Sequence, residues 1–233
     1  MNIAILLAAG TSSRFIKKNT VPKQLFCIDQ IPVIMYSLNI LVNNSLIDKV
    51  LIVTNSNCKD QIEYILNDNH NHFLVAKEKI NQKVIILIND VNCRIESINT
   101  GINYINNSLE NENDNIKNVI VHDSARPYIQ NFHINELIKS MNRYLYTQYY
   151  MKLVNGLYNI KTNEFVDRDS YIEICTPFCI DYSTMRFIHT NKNTNTNCKI
   201  YEYIPELQKL NIPFNLIESY HKYLKKITTL EDL

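Results

Sequence analysis

The sequence predicts an α/β domain on a parallel or mixed sheet, and three observations carry that expectation. Short runs rich in Ile, Val and Leu recur along the chain, longer amphipathic segments separate them, and the first run ends in small residues and a glycine. Buried strands covered on both faces by crossover helices have this pattern. With 233 residues, 45% hydrophobic and 20% charged, the chain can bury a real core as one domain over residues 1–233, and disorder is disfavoured.

The opening run from Asn2 to Ala9 is apolar, lacks a basic flank and is too short to span a bilayer, so it reads as the first buried strand. Further strands are expected at Lys49 to Thr54, Val84 to Ile88 and Asn118 to His122, after a first one at Ile3 to Leu7. Helices are expected at Val33 to Val42, Lys59 to Asn67, Arg94 to Ile105 and Asn135 to Tyr144. Between Tyr146 and Arg168 the pattern turns Tyr-rich and alternating and is broken by Asn155 and Gly156, which predicts a hairpin arm over residues 145–168. The polar stretch Asn191 to Asn197 reads as a loop ahead of a helix from about Cys198.

A formal charge of +1 gives no global field for nucleic acid or membranes, so neither partner is expected and an anionic ligand must meet local cations. Cys27, Cys58, Cys93, Cys175, Cys179 and Cys198 form no CxxC pair and lack zinc-finger spacing. Free thiols in a reducing, cytoplasmic setting are the expectation.

The strongest local signal is Leu6 to Phe26, LLAAGTSSRFIKKNTVPKQLF, where a strand ends in small residues before a cluster of positive charge. Gly10 can take backbone angles closed to other residues, and the N–H groups of Thr11 to Arg14 could cradle phosphate oxygens at the carboxyl edge of the sheet. The pattern is neither GxGxxG nor a Walker loop, which removes support for a dinucleotide oxidoreductase or a P-loop NTPase. On these residues alone a second reading stays open, in which Ala8, Ala9 and Gly10 make a tight turn and Arg14 and Lys23 are solvated. Pro22 favours the first, because it restricts the backbone that carries Lys23.

Gly10 with Ala8, Ala9 and Arg14, then Pro22-Lys23-Gln24, resembles the opening of the cytidylyltransferases that act on methylerythritol phosphate or ribitol phosphate. The similarity continues through Arg94-Ile95-Glu96-Ser97-Ile98, His122-Asp123-Ser124-Ala125-Arg126-Pro127, Val166-Asp167-Arg168, Thr176-Pro177 and Lys226-Ile227-Thr228-Thr229. It spans nearly the whole chain in order. The resemblance implies a Rossmann-like nucleotidyltransferase fold, mostly parallel, with a protruding arm that crosses to a second subunit in a homodimer.

It also implies a reaction in which the acceptor phosphate attacks the α-phosphorus of CTP. Arg14, Lys23 and Lys226 would grip the triphosphate and stabilise developing charge, with Mg²⁺ spanning the phosphates. Ala8, Ala9, Gly10, Ser97 and Ser124 would bind the nucleotide, and Asp123, Arg168 and Thr176 the acceptor, with Asp123 also a candidate to help hold the metal. Read without the family, Lys226 is a solvated charge, Ser97 a local capping hydroxyl and Arg168 part of a surface cluster with Asp167 and Asp169. Arg126 is expected to brace the loop and His122 to pack in its strand. An attacking phosphate already ionised near neutral pH needs no general base.

The chain departs from the family in three places. A Gly-Gly pair gives way to Asn89-Asp90-Val91-Asn92-Cys93, Thr-Pro-Gln becomes Thr176-Pro177-Phe178, and an expected acid is absent within Asn195-Thr196-Asn197. Cys198-Lys199-Ile200 and the longer stretch between Asn67 and Arg94 resemble the ribitol branch. The expected acceptor is therefore D-ribitol 5-phosphate, giving CDP-ribitol, with methylerythritol phosphate the alternative that AAG favours. A catalytically weakened dimeric nucleotide-binding protein and a sugar-nucleotide enzyme using UTP or GTP are the other readings.

Overall fold

The structure is a computed structural model that describes residues 1–15, 21–68, 75–108, 115–191 and 203–233. In chain order come β1 (Asn2–Leu7), the short pair β2 (Cys27–Ile28) and β3 (Ile31–Pro32), α1 (Val33–Asn43), β4 (Lys49–Thr54), α2 (Ser56–Asn67), α3 (Lys77–Lys83) and β5 (Val84–Ile88). Next are α4 (Arg94–Ser108), β6 (Asn118–Asp123), α5 (Asn131–Ser140), β7 (Tyr146–Lys152), β8 (Leu157–Asn159), β9 (Glu164–Val166) and β10 (Ile172–Asp181). The chain closes with α6 (Tyr182–Thr190), α7 (Tyr203–Lys209), β11 (Asn215–Glu218) and α8 (His221–Leu224).

Alternation along the central strands builds two core faces. Ala4 and Leu6 of β1, Val50 and Ile52 of β4 and Ile120 of β6 pack against α1, α2 and α5 on one side. Ile3, Ile5, Leu51, Val53, Val119 and Val121 pack against α4, α6 and α7 on the other. Burying each such side chain is worth roughly 1.5–3 kcal/mol, which is why continuous apolar runs predict these strands so well. Gly101 lets α4 close on β1, since a Cβ there would lie 2.7 Å from the Ile5 side chain.

Seven strands form one sheet in the order β11-β7-β10-β6-β1-β4-β5. The β6-β1-β4-β5 half is parallel, β10 runs antiparallel to β6 and β7, and β11 is parallel to β7. The chain leaves β1 towards β4 on one side and returns to β6 on the other, so a crevice opens past their carboxyl ends, where open α/β sheets bind ligands. Among the described residues no helix is long and apolar enough to cross a membrane.

Three sequence expectations need correction. The expected arm is shorter, because Tyr146–Lys152 is an interior strand with Tyr146 and Tyr149 fully buried. Within the expected arm only β8 and β9 form a separate hairpin, with Tyr158 and Phe165 edge to face at 5.2 Å. The helix expected at Asn135 begins earlier, at Asn131, where Gln130 and His133 make a reciprocal capping box. The long strand β10 was not expected, since Pro177 inside it argues against a strand; its register shifts between Cys175 and Phe178, the irregularity that accommodates proline. The loop and helix expected around Asn191 to Cys198 fall, beyond Asn191, outside the described residues.

Candidate active site

Small residues after β1 keep the loop thin, and side-chain amides from other segments fix it. Gln24, almost fully buried, donates from Nε2 to Ala8 O at 2.9 Å and to Gly10 O at 3.5 Å. Asn55 Nδ2 donates to Ala9 O at 3.1 Å. Ser12 Oγ donates to Gln24 Oε1 at 3.2 Å and accepts the Lys23 amide at 3.1 Å. Pro22 opens a turn whose carbonyl accepts from Leu25 and Phe26, so the Lys23 side chain is carried on a fixed backbone. The expectation that Gly10 supplies unusual backbone angles is corrected: Ser12 holds the left-handed conformation, at φ 56°, and no glycine does. A Cβ on Gly10 would meet nothing within 4 Å, which leaves the space before it open.

Asp123 ends β6 in the crevice and gathers the cations. Lys226 Nζ lies 2.7 Å from its Oδ2, Arg94 Nε 3.4 Å from its Oδ1, and Arg126 Nε 4.0 Å away. Burial alone would raise this carboxyl, but Lys226, Arg94 and Arg126 together hold it well below the usual carboxylate range. Lys23 is lowered to about 8, first by burial and then by the nearby Lys226, with Asp123 opposing. The Lys226 loop is tied down by Ile227 N–H donating to Ala125 O at 2.8 Å and by Asp232 accepting from the amides of Thr228 and Thr229 at 2.8 Å.

The opposite wall is the loop between β5 and α4. Asn89 Nδ2 donates to Ser97 Oγ at 2.9 Å and to Val91 O at 3.2 Å, while its Oδ1 accepts the Val91 amide at 3.0 Å. No residue from Asn89 to Cys93 adopts a positive φ. The backbone therefore does not demand the glycines that the family has here.

Two cavities result. Ala8, Ala9, Gly10, Lys23, Ser97, Asp123, Ser124 and Lys226 line the first, with Arg94 and Asn92. Arg14, Lys23, Asn92 and Thr228 line the second together with the Gly10 to Ser13 loop. Gly10, Lys23 and Asn92 belong to both, so Arg14 and Lys23 face the same crevice as Asp123. Asp123 is the one carboxylate among the described residues that line them, and no group of three or more His, Cys, Asp or Glu poised for a metal occurs among the described residues.

Two expected acceptor residues sit elsewhere. Thr176 is buried behind Asp123, its Oγ1 accepting the Asp123 amide at 3.2 Å, and lines neither cavity. Arg168 stands at the base of the hairpin, where Nη1 donates to Val154 O at 2.6 Å and Nε lies 3.7 Å from Asp169. His122 and Arg126 behave as expected. The histidine is fully buried, lowered to about 4 by that burial and hence neutral, with Nε2 3.1 Å from Arg126 O. Arg126 spans Asp123 and Glu173, both at 4.0 Å, and donates to Leu224 O.

Sequence reasoning passed over Arg94, Gln24, Asn89 and Asp232. Arg94 and Gln24 lay inside quoted motifs without a role, and a buried amide such as Asn89 has no local signal. Phe178, the departure from Thr-Pro-Gln, is fully buried against Tyr146 and Tyr203 with centroids 5.4 and 5.5 Å away, and turns from the crevice into the core.

Comparison with known proteins gives the chain's family and fold. The family model described as IspD, 2-C-methyl-D-erythritol 4-phosphate cytidylyltransferase, matches residues 2–233. A protein of that name from Clostridium kluyveri is 26% identical over 238 residues, covering 100% of this chain and 93% of its own. One from Thermotoga neapolitana is 27% identical over 194 residues, covering 82% of this chain and 78% of its own. The crystal structure of 4-diphosphocytidyl-2C-methyl-D-erythritol synthase from Anaerococcus prevotii superposes with a TM-score of 0.72 at 18% identity, covering 100% of this chain and 94% of that one.

Proposed function

The chain belongs to the 2-C-methyl-D-erythritol 4-phosphate cytidylyltransferase family, and from that premise we propose that it transfers CMP from CTP to 2-C-methyl-D-erythritol 4-phosphate and releases pyrophosphate. That it is a CTP-dependent cytidylyltransferase follows from the family; the acceptor and the residue roles are this reading's own. The observation that carries it is the convergence of Lys23, Lys226 and the Ala8–Gly10 backbone with Asp123 in one cavity, with Arg14 in the cavity that adjoins it.

The sequence favoured ribitol 5-phosphate, and that preference gives way to the methylerythritol acceptor named for the family and for the curated relatives. Of the two features behind it, Cys198-Lys199-Ile200 lies outside the described residues. The described part of the other includes α3 and β5, which line neither cavity, and ends in Val91 to Cys93, which line the first.

In this reading Arg14, Lys23 and Lys226 face the triphosphate, where preorganised charge meets the negative charge that builds on the α-phosphorus oxygens. The Ala8–Gly10 backbone, Ser97 and Ser124 line the nucleoside. Asp123 holds Lys226 and Arg94 in place, and faces the acceptor hydroxyls. Thr176 orients Asp123 through its amide and reaches the acceptor only indirectly. A single carboxylate among cations fits a Mg²⁺ carried mainly by the phosphates, with Asp123 the protein group in reach. When bound, that ion neutralises phosphate charge. The acceptor's phosphate brings its own anionic oxygen, so no side chain need remove a proton.

Arg168 points to a homodimer. Val154, Ile160 and Phe165 stand 64%, 84% and 84% exposed on and beside the hairpin, an apolar surface of the kind that a partner subunit covers. A partner's hairpin would bring its arginine to the open side of the crevice. The test incubates the protein with Mg²⁺, each nucleoside triphosphate in turn, and either methylerythritol 4-phosphate or ribitol 5-phosphate, with pyrophosphate release as readout. Release with CTP and methylerythritol 4-phosphate is expected; faster release with ribitol 5-phosphate, or none, overturns the reading.

A further inference from the structure

Three loops that carry the cations of the crevice share something besides charge. Phe15 follows Arg14, Phe26 closes the turn that carries Lys23, and Ile227 follows Lys226. Phe15 and Ile227 are fully or almost fully buried, and with Val33 and the partly buried Phe26 and Ile28 they form an apolar cluster apart from the two main cores. The Phe15 and Phe26 rings meet edge to face at 5.3 Å and 73°.

None of the three loops is held by a sheet ladder at its cation. Their backbones are instead held locally: Phe15 N–H to Ser12 O of its own loop at 2.8 Å, Val33 N–H to Phe26 O at 2.8 Å, and Ile227 N–H to Ala125 O at 2.8 Å. Ser12 joins the first two loops through its bonds to Lys23 and Gln24, and the cluster is where side chains of all three segments meet. It is also where an opposing force is needed, since Arg14 and Lys226 both act on Lys23 as like charges and Asp123 offsets only part of that. Hydrogen bonds fix each backbone, and the packed side chains add a restraint on the spacing of the cations against that repulsion.

Resting on the nucleotidyl-transfer reading above, we propose that Phe15, Phe26 and Ile227 form an apolar pin that holds Arg14, Lys23 and Lys226 at a single spacing matched to the triphosphate. They are positioning residues: they touch no substrate, and act through the cations beside them. Coupling is expected because the three side chains pack in one cluster, so removing one member loosens the packing of the other two.

The test compares Phe15→Ala, Ile227→Ala, the double variant and the conservative Phe15→Leu, with Ile105→Ala on the buried face of α4, matched to Ile227→Ala in lost volume, as a control. Pyrophosphate release gives kcat and the KM for CTP, and circular dichroism gives the folded fraction and Tm. Each pin variant is expected to lose roughly ten- to a hundredfold in kcat, the scale at which a misplacement near 1 Å acts. The double variant should lose little more than either single one, because both release the same constraint. Phe15→Leu should recover most of the loss. The alkaline limb of the kcat/KM profile should move upwards as Lys23 gains water. Ile105→Ala should lower Tm yet turn over normally per folded molecule.

Turnover of folded Phe15→Ala within about threefold of wild type, additive losses, or an equal kcat loss in Ile105→Ala overturns the pin. If Phe15→Ala does not fold, Phe15→Leu and Ile227→Val carry the same comparison with smaller expected losses. Absence of pyrophosphate release by the wild-type protein overturns the nucleotidyl-transfer reading instead, so the two failures are distinct.

Discussion

On the nucleotide side of the crevice, the Ala8–Gly10 loop, Lys23, Asp123 and Lys226 meet within one chain and lock together through buried amides and ion pairs. On the hairpin, Arg168 is half exposed, bonds to its own turn and lines neither cavity. Recognition of a triphosphate needs charge fixed in advance, and a single fold can supply that from its strand ends. In the proposed reading, recognition of the second substrate falls to an element whose apolar side chains stand exposed, as a surface covered by a partner would. The first half should respond to substitution as preorganised catalysis does, and the second as assembly does.

The sharpest break in that comparison is Lys23→Ala. Loss of one preorganised contact to developing charge costs roughly a hundred- to a thousandfold in rate, or about 3–4 kcal/mol in the barrier. Because Lys23 sits on a turn fixed by Pro22 and Ser12 rather than in the core, Tm should stay within a few degrees of wild type. Turnover within a few fold of wild type would remove the nucleotide half of the argument.

Arg168→Ala should be milder and of a different kind. If Arg168 bonds the acceptor phosphate as proposed, its loss raises the acceptor KM roughly ten- to a hundredfold, while the KM for CTP is unchanged. The decisive arm mixes the two variants at acceptor concentrations far below KM, where both turn over poorly. If each crevice borrows Arg168 from its partner, a random exchange of Lys23→Ala and Arg168→Ala subunits makes half the dimers mixed, each with one intact site, and restores roughly a quarter of wild-type activity. No recovery after exchange, confirmed by native mass spectrometry, would confine Arg168 to its own chain.

A smaller effect comes from pH. Lys23 is held down to about 8, chiefly by burial and then by Lys226, so it is charged below that value and neutral above it. The free enzyme's kcat/KM for CTP should therefore fall as pH rises through about 8, where a lysine in water would stay charged. Stability should respond with the opposite sign. The lowered value means the folded state disfavours the charged amine, a cost present below about 8 and relieved as pH climbs towards the ordinary lysine range. His122, neutral above about 4, contributes nothing to this limb. A profile flat to pH 10 would show that Lys23 is solvated.

Much of this was legible in the residues. Ile3 to Leu7 and Val119 to Val121 announce strands because both faces are buried, and the residues that end them, Ala8–Gly10 and Asp123, mark the crevice without any structure. Lys226 was legible through its motif, although spacing alone left it a surface charge until the 2.7 Å contact with Asp123 placed it. What could not be read depends on three-dimensional closure. Tyr146 and Thr147 alternate as an exposed arm would, yet both are buried, since β10 and β11 flank them. Pro177 hid β10, and nothing near Asn89 in sequence shows that its amide will bridge Val91 and Ser97.

Asn89 refines the comparison at its smallest scale, because it stands where the family's glycines have given way. Glycine in such a loop supplies either unusual φ angles or close approach, and the Asn89 to Cys93 backbone uses no positive φ. What remains to be supplied is a fixed wall, and three hydrogen bonds from one buried amide supply it. Asn89 Nδ2 also occupies one lone pair of Ser97 Oγ, whose proton now goes to Cys93 O at 3.3 Å and is free to turn to an acceptor on the nucleoside. Asn89→Ala removes this direction while sparing every cation. Each neutral hydrogen bond is worth about 1 kcal/mol, so the KM for CTP should rise roughly fivefold with kcat little changed. Asn89→Asp keeps the acceptor for the Val91 amide but loses both donors, and should fall on the same side. If kcat collapses instead, the wall and the cations are one unit and the nucleotide side of the crevice is not divisible in this way.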